Sequence, residues 1–357
     1  MTRAAGASPR GFFSPDGRFM LLEAFSQGKK FGHPEANEDS FVAIPGAGYA
    51  VIDGVTDRNG TRYAGMLSGQ FASRTIKRAV ERFLLEQQAP SVAPEFRYAG
   101  PRAFIDYLTA ALHAAYVAEG ALEAVEKDWK VRAGCTVVAA LQIGDRLEVV
   151  AVGDSGIRIN GDDMLWVLKP LDDVTSILRR EAWRFFEGRG LPPERCDQLA
   201  GFLCWRGTRN QPPGEESADP AIIAEIERRA LAACREHLPN IPLAELELLI
   251  HNGIEHGQGE FQNVTDKALG YGGLDGFHVP DRYIEHRSHA LADIESLELF
   301  SDGYFEPAKA FGVAAWEDSF RAVEAADPHK IDRYISTKGT TSVALTDDRT
   351  YLGVKLR

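Results

Sequence analysis

Acidic residues stand where the strand-like segments of this chain begin or end. They form five groups along the sequence: Glu38-Asp39, Asp53 followed by Gly54, Asp154, Asp302 and Asp347-Asp348. Each group alone is typical of a turn, because aspartate caps the local backbone and glycine accepts positive φ. Taken together, they predict a cluster of carboxylates at one edge of a layered core.

A carboxylate cluster of this kind has a defined chemistry. Several carboxylates can be ionised side by side only when cations balance their charge. Oxygen ligands without a histidine or cysteine set favour Mg²⁺ or Mn²⁺ over Zn²⁺. Two such ions about 3.5–4 Å apart are a common apparatus for hydrolysing phosphate esters with a metal-bound hydroxide. The strand-end residues therefore indicate a metal-dependent hydrolase of phosphate esters.

The apolar pattern supplies the elements that would position these carboxylates. Short apolar runs closed by turns predict antiparallel strands, and apolar residues at steps near 3.6 predict helices with one buried face. The predicted strands are 40–44, 48–52, 135–143, 147–152, 156–159, 297–301, 341–345 and 350–356, and the predicted helices are 67–84, 104–115 and 313–325. The last two strands are expected to pair as a hairpin.

The middle of the chain differs from the rest in its composition and in its predicted secondary structure. Joints rich in proline and glycine separate helical pieces such as 221–234 and 243–251. We expect a helical insertion over 165–280 within a catalytic domain of 18–357, preceded by a flexible arm at 1–17. Because the insertion leaves the core after Asp154 and returns before Asp302, it is expected to cap the metal site and set substrate choice. Packing on the far side as an oligomer contact is the alternative.

Composition excludes several classes of protein. Hydrophobic residues make up 44% and charged residues 26% of the 357 residues, as in an ordinary globular chain. The formal net charge of −12 argues against a nucleic-acid or membrane partner, because both favour a basic surface. The sequence shows no membrane span and no secretory signal. Four cysteines without a CxxC pair fit reduced thiols, so we expect a cytoplasmic protein.

Six short motifs, taken in order, resemble the signature of the metal-dependent protein phosphatase 2C (PPM) family, in a bacterial-type form with an enlarged flap. They are Asn37-Glu38-Asp39-Ser40, Val51-Ile52-Asp53-Gly54, Gly134-Cys135-Thr136, Val152-Gly153-Asp154-Ser155, Phe300-Ser301-Asp302-Gly303 and Asp347-Asp348-Arg349-Thr350. Each motif is unspecific, but their shared order argues against chance. The resemblance implies an α+β fold, a four-layer αββα sandwich of two antiparallel sheets flanked by helices, with the metals at one end.

The resemblance also implies roles for individual residues. Asp53 would bridge two Mn²⁺ or Mg²⁺ ions, and the carbonyl of Gly54 would complete the coordination of one of them. Asp302 and Asp347 would hold the other ion. Glu38 would act on the ion next to Gly54, mostly through water. A hydroxide between the two ions would then attack the phosphate.

Further positions carry supporting roles in the resemblance. Asp39 would orient the groups around the two ions. Asp154 and Glu306 match the positions of a weaker third metal. The implied substrates are phosphoserine and phosphothreonine in proteins, or a small phosphate ester.

The chain departs from the family pattern at the phosphate clamp. Family members commonly carry an arginine five residues before the aspartate of the Glu-Asp pair, where this chain has Pro34. The nearby cations Lys29, Lys30 and His33 are candidates to bind the substrate phosphate, although lysine lacks the two-pronged geometry of arginine. Solvated turn residues are the plainer interpretation of the lysines.

A second departure follows Gly54. Val55 stands where animal members have a histidine that protonates the leaving group, and His33 is a candidate replacement acid. Thr56 and Asp57 replace two glycines and narrow the backbone conformations of the loop. Two kinds of function therefore stay open: an active phosphatase, and a catalytically silent binding module with the same fold. The retained carboxylates favour activity.

Overall fold

The computed structural model describes residues 10–13, 19–56 and 59–356, and the strands within them form a six-stranded sheet, a five-stranded sheet and a small hairpin. The strands are β1 (Arg10–Phe13), β2 (Phe19–Gln27), β3 (Ser40–Ile44), β4 (Gly48–Gly54), β5 (Arg62–Tyr63), β6 (Met66–Leu67), β7 (Cys135–Ile143), β8 (Arg146–Val152), β9 (Gly156–Ile159), β10 (Asp163–Leu165), β11 (Glu285–Ala290), β12 (Ser296–Phe300) and β13 (Arg349–Leu356). The larger sheet has the order β1-β2-β13-β12-β9-β10, and the smaller has the order β11-β8-β7-β4-β3. Neighbouring strands in both sheets pair antiparallel.

Helices make up much of the remaining described chain. They are α1 (Ser68–Gln87), α2 (Pro101–Ala118), α3 (Leu122–Lys127), α4 (Pro170–Glu187), α5 (Pro193–Arg206), α6 (Pro220–His237), α7 (Leu243–Gly257) and α8 (Val313–Ala326). The helices α2, α4, α5 and α6 each begin with proline, whose fixed φ suits the first turn and whose missing N–H would have no partner there. No described helix has both the length and the apolar composition of a membrane span.

The two large sheets pack face to face because each strand alternates its side chains between two sides. On one side of β4, Tyr49 and Val51 share a buried cluster with Leu299 of β12 and Leu352 of β13. This cluster is the core between the sheets. Burying apolar area here supplies the main favourable term for closing the sandwich.

Helices cover the outer face of each sheet. On the other side of β4, Ile52 belongs to a cluster with Phe71 of α1 and Leu108 of α2. On the outer face of the six-stranded sheet, Trp316 of α8 packs against Phe300 with ring centroids 4.7 Å apart. The order of layers is helix, sheet, sheet, helix, so the predicted four-layer α+β sandwich is confirmed.

The helices α4 to α7 lie inside the segment predicted as an insertion and have a core of their own. Trp183 of α4, Leu203 of α5, Ile226 of α6 and Leu249 of α7 belong to one buried cluster. Ile331, which follows α8, packs into the same cluster. The helical group is therefore tied to the C-terminal part of the sandwich as well as to its own neighbours in sequence.

One local prediction was wrong. The segment 341–345 does not form a hairpin with β13, because β2 and β12 already pair with both edges of that strand. The hydroxyl of Thr341 instead accepts from the N–H groups of Val343 and Ala344, a local turn that competes with a strand. Arg10–Phe13, within the predicted flexible arm, forms the edge strand β1, because it satisfies the free backbone edge of β2. The rest of that arm lies outside the described residues.

Candidate active site

Antiparallel pairing brings the acidic groups to one end of the sandwich. Ser40 at the start of β3 lies opposite Ile52 near the end of β4, so Glu38 and Asp53 share an edge of the five-stranded sheet. In the other sheet, the end of β12 pairs with the start of β13, which brings together the segments that carry the remaining aspartates. The predicted meeting of strand-end carboxylates thus follows directly from the topology.

A cavity of about 400 Å³ opens at this end. Its lining combines the sandwich with the inserted helices and the segment after α8. The sandwich contributes Asp53, Gly54, Val55, Thr56, Thr136, Asp154, Asp302 and Asp347, the insertion contributes Lys169, Asp172, Asp173, Ser176, Trp205, Ile254 and Gln258, and the last segment contributes Arg333 to Lys338. Four predicted carboxylates and the inserted helices therefore face one space, whereas Glu38 and Asp39 are not among its lining residues.

Asp53 and Asp302 form the crowded centre of the site. Their carboxyl groups are in hydrogen-bonding contact, and burial raises the pKa of both well above the usual value. The negative charge of Asp39 raises the pKa of Asp53 further, and that of Asp53 adds to the rise at Asp302. Two carboxyl groups in hydrogen-bonding contact cannot both be ionised without a cation between them. The pair is a favourable place for a positive ion.

Asp39 lies next to Asp53, and Ser301, which follows β12, fixes the position of its carboxylate. The hydroxyl of Ser301 donates to its Oδ2 atom at 2.8 Å, and the same hydroxyl accepts from the backbone N–H of Thr350. Burial, followed by the charge of Asp348, raises the pKa of Asp39 to about 7. Its buried Oδ1 atom has no hydrogen-bond donor among the described residues.

Lys29 supplies a buried positive charge on one side of the cluster. Its ammonium nitrogen lies 3.1 Å from oxygens of Glu38, Asp347 and Asp348, and donates to Thr56 Oγ1 at 2.6 Å. The hydroxyl of Thr56 in turn donates to Glu38 Oε2 at 2.7 Å. Burial alone would lower the pKa of Lys29, but the surrounding carboxylates raise it above its usual value. The lysine is a fixed counter-ion within the site.

Two more lysines neutralise carboxylates at the cavity wall. Lys169, just before α4, lies 2.9 Å from Asp154 and 3.3 Å from Asp172. Lys338 lies 2.6 Å from the Oδ2 atom of Asp347. Although burial alone would raise the pKa of Asp347, Lys29 and Lys338 hold it well below its usual range. Asp347 is therefore ionised, whereas the pKa values of Asp53 and Asp302 at the centre are raised.

Gly54 is required by the close approach of three segments. A Cβ atom there would lie 2.4 Å from the carbonyl oxygen of Gly69 and 2.7 Å from that of Glu38. Gly69 lies in the first turn of α1, and a Cβ on it would in turn lie 2.6 Å from Glu38 Oε1. The carboxylate of Glu38 is thus close to a helix N-terminus, whose dipole favours negative charge.

The structure does not bring all the proposed site residues together. Lys30 is exposed, and the exposed ring of His33 pairs with Glu35 at 3.0 Å, away from the cavity lining. Glu306 directs its carboxylate to Tyr334 and Arg333, while Asp154 is engaged by Lys169. Of the candidate phosphate-binding cations, Lys29 alone reaches the carboxylates described here.

Several residues of the site were missed from the sequence. For Thr56 the sequence predicts only a loop with fewer allowed backbone conformations than two glycines would give. Its neighbour Asp57 lies outside the described residues. Lys169, Lys338 and Arg333 fall in segments without a motif. Lysines and arginines are common on protein surfaces, so no local pattern marks the ones that fold back to the cavity.

No described group of three acidic, histidine or cysteine side chains is spaced as a preformed metal site. The site is thus a set of converging oxygen groups with lysines among them.

Comparisons with known proteins find similarity only at the level of structure. No protein-family model and no curated protein matches the chain. Among solved structures, the serine/threonine phosphatase PstP/Ppp of Mycobacterium tuberculosis is 17% identical, with 95% of this chain and 99% of that chain covered and a TM-score of 0.43. The serine/threonine phosphatase Stp1 of Staphylococcus aureus is 12% identical, with 94% of each chain covered and a TM-score of 0.43.

A third similar structure is the catalytic domain of serine threonine protein phosphatase PstP in complex with two manganese ions. It is 16% identical, with 94% of this chain and 99% of that chain covered and a TM-score of 0.41. In its ordered motifs, its four layers and the edge at which its acidic residues meet, the chain resembles the metal-dependent protein phosphatase 2C family.

Proposed function

We propose that the chain is a metal-dependent phosphatase that hydrolyses phosphate monoesters, with phosphoserine and phosphothreonine in proteins as its main substrates. One observation carries the proposal: Asp53, Asp154, Asp302 and Asp347, which are far apart in sequence, line a single cavity. A protein without need of a cation gains nothing from burying carboxylates side by side, because each one raises the cost of ionising the next. We further propose a cytoplasmic location, from the number and spacing of the cysteines.

The donor set fits a hard divalent ion at the centre of the cluster. Asp53 and Asp302 touch each other and both have raised pKa values, which a cation between them would reverse. We propose that these two residues and Asp347 hold Mn²⁺ or Mg²⁺, with Asp39 supporting Asp53 from behind. When bound, the ion would neutralise phosphate charge and activate water.

Arg333 is the residue that we propose to bind the substrate phosphate. It lines the cavity, its side chain is 69% exposed, and its guanidinium lies 3.4 Å from Glu306. A guanidinium matches two phosphate oxygens at once, which an ammonium group cannot do. Lys29, by contrast, already directs its donors to Glu38, Asp347, Asp348 and Thr56. Arg333 would thus supply the clamp that Pro34 cannot.

The inserted helices are proposed to choose the substrate. A second cavity of about 460 Å³ adjoins the first, and the two share Val55, Thr56, Trp205, Ile254 and Gln258 as lining residues. Trp129, Tyr271 and Phe277 line its other parts. A phosphorylated side chain bound at the carboxylates would extend its attached peptide along this aromatic wall. This arrangement supports a cap over the site rather than an oligomer contact on the far side.

Hydrolysis assays test the function. Para-nitrophenyl phosphate and a phosphothreonine peptide should be hydrolysed with Mn²⁺ or Mg²⁺ and not with a chelator. Asp53→Asn should abolish turnover, whereas Asp106→Asn, the same change at a 55% exposed position of α2, should have little effect. Equal activity in the chelator would contradict the metal requirement.

A phosphorylated metabolite as a third substrate and a melting curve in Mn²⁺ distinguish the two alternatives. A small-ester phosphatase would turn over a phosphorylated metabolite but not the phosphopeptide. A silent binding module would hydrolyse neither substrate and would show no stabilisation by Mn²⁺. The assays therefore separate the three functions without further variants.

A further inference from the structure

We propose that the ammonium group of Lys29 takes the place of one of the two divalent ions, so that the site holds a single divalent ion together with a built-in cation. The inference rests on the proposed function, since it concerns the number of ions at the same site. The motif resemblance implies a second ion beside Gly54, acted on by Glu38. In this chain the carboxylate of Glu38 is already bound by Lys29 and Thr56.

All three N–H donors of the Lys29 ammonium group are used by its contacts within the protein. Its ammonium group has three N–H bonds, and four oxygens lie within 3.1 Å of the nitrogen, on Glu38, Asp347, Asp348 and Thr56. The lysine is also anchored at its backbone, where its N–H donates to Asp348 Oδ1 at 2.6 Å. Backbone and side chain are thus held by the same aspartate, which limits the freedom of the side chain to swing away.

The backbone around Lys29 adds to this anchoring. Leu345 donates its N–H to the carbonyl of Lys29, and Phe31 donates to the carbonyl of Val343. Asp348 also accepts from the N–H of Glu38 at 3.2 Å. The segment before β3 and the segment before β13 are therefore joined through the very residues that surround the ammonium group.

Charge explains why a divalent ion and this ammonium group exclude one another. Both would require Glu38 as a partner, and two cations this close repel each other strongly in a buried site. The touching carboxyl groups of Asp53 and Asp302 are the other place for a cation. One divalent ion there and the Lys29 ammonium beside Glu38 would together offset three negative charges of the cluster.

Counting bound ions tests the inference. Mn²⁺ binding is measured by titration calorimetry and by metal analysis after gel filtration, and electron paramagnetic resonance distinguishes an isolated ion from a coupled pair. The wild type should bind one tight Mn²⁺ per chain and give an uncoupled six-line spectrum. Lys29→Met should bind two with a coupled spectrum, whereas Lys30→Met, which removes an exposed charge next in sequence, should still bind one.

Each outcome has a separate meaning. Two coupled ions in the wild type would overturn the inference and leave the proposed function standing. No bound ion in the wild type would overturn the proposed function as well. A folded Lys29→Met variant that still binds one ion would show that Lys29 does not exclude the second. If Lys29→Met fails to fold, the wild-type ion count and spectrum decide whether the ammonium or a divalent ion occupies this place.

Discussion

Replacing Asp53 with asparagine should change the free energy of unfolding in opposite directions with and without a divalent ion. In the metal-free protein, burial and the nearby charge of Asp39 disfavour the ionised form of Asp53. Asparagine has nearly the same size but carries no charge, so it relieves this repulsion. We expect metal-free Asp53→Asn to be more stable than the wild type by about 0.5–2 kcal/mol, the common range for a single stabilising substitution.

With Mn²⁺ the order should reverse. A single ion at a hundredfold excess over its dissociation constant adds about 2.7 kcal/mol to the free energy of unfolding. For a chain of this size that corresponds to a rise of roughly 4 °C in melting temperature. Asp53→Asn removes a charged ligand from the central pair while Asp302 and Asp347 stay, so most of that rise should be lost.

Melting curves in chelator and in Mn²⁺ measure both effects. The control is Asp106→Asn, which removes the same charge from an exposed residue paired with Arg102 on α2. It should melt within about 1 °C of the wild type under both conditions, as an exposed ion pair contributes little. A full Mn²⁺ shift in Asp53→Asn would refute the proposed ligand, and a lower melting temperature in chelator would refute the argument from crowded charge.

Three further predictions concern the clamp, the glycine and the cap. Arg333→Ala should raise the KM for a phosphopeptide about tenfold with kcat nearly unchanged, because it removes a phosphate contact made equally in the ground and transition states. Arg321→Ala on α8 is the control. A tenfold fall in kcat instead would contradict the proposed phosphate contact of Arg333. Gly54→Ala should lower the free energy of unfolding by about 1–3 kcal/mol in urea titrations, because its Cβ would meet backbone on two sides. Gly201→Ala, where the added Cβ has open space around it, should leave the free energy of unfolding nearly unchanged. Ile254→Arg, at the wall shared by both cavities, should lower kcat/KM for the phosphopeptide at least tenfold and change that for para-nitrophenyl phosphate less than twofold; equal effects would speak against a selective cap.

Much of the sandwich could be predicted because its signals are local. The alternation of Tyr49, Val51 and Ile52 identifies β4 and assigns its two faces before any partner is known. The predicted strands 40–44, 135–143 and 156–159 agree with the observed bounds. The carboxylates that follow such strands could likewise be predicted to meet, since antiparallel strands bring their ends to a shared edge.

Local signals failed where a segment had competing partners. The apolar residues of 341–345 are typical of a strand, yet β13 has no free edge left for them. The sequence pattern there was satisfied by more than one arrangement, and packing selected among them.

By itself, the sequence determined the strands, the helices and the carboxylates at their ends, because periodicity and turn chemistry act over a few residues. Only the tertiary structure decided which cations meet those carboxylates. Lys29 pairs with Asp347 across 318 residues of chain, while the exposed Lys30 beside it does not. Ion pairs depend on distances in space, and the distance between two charges is set by the packing of every layer between them.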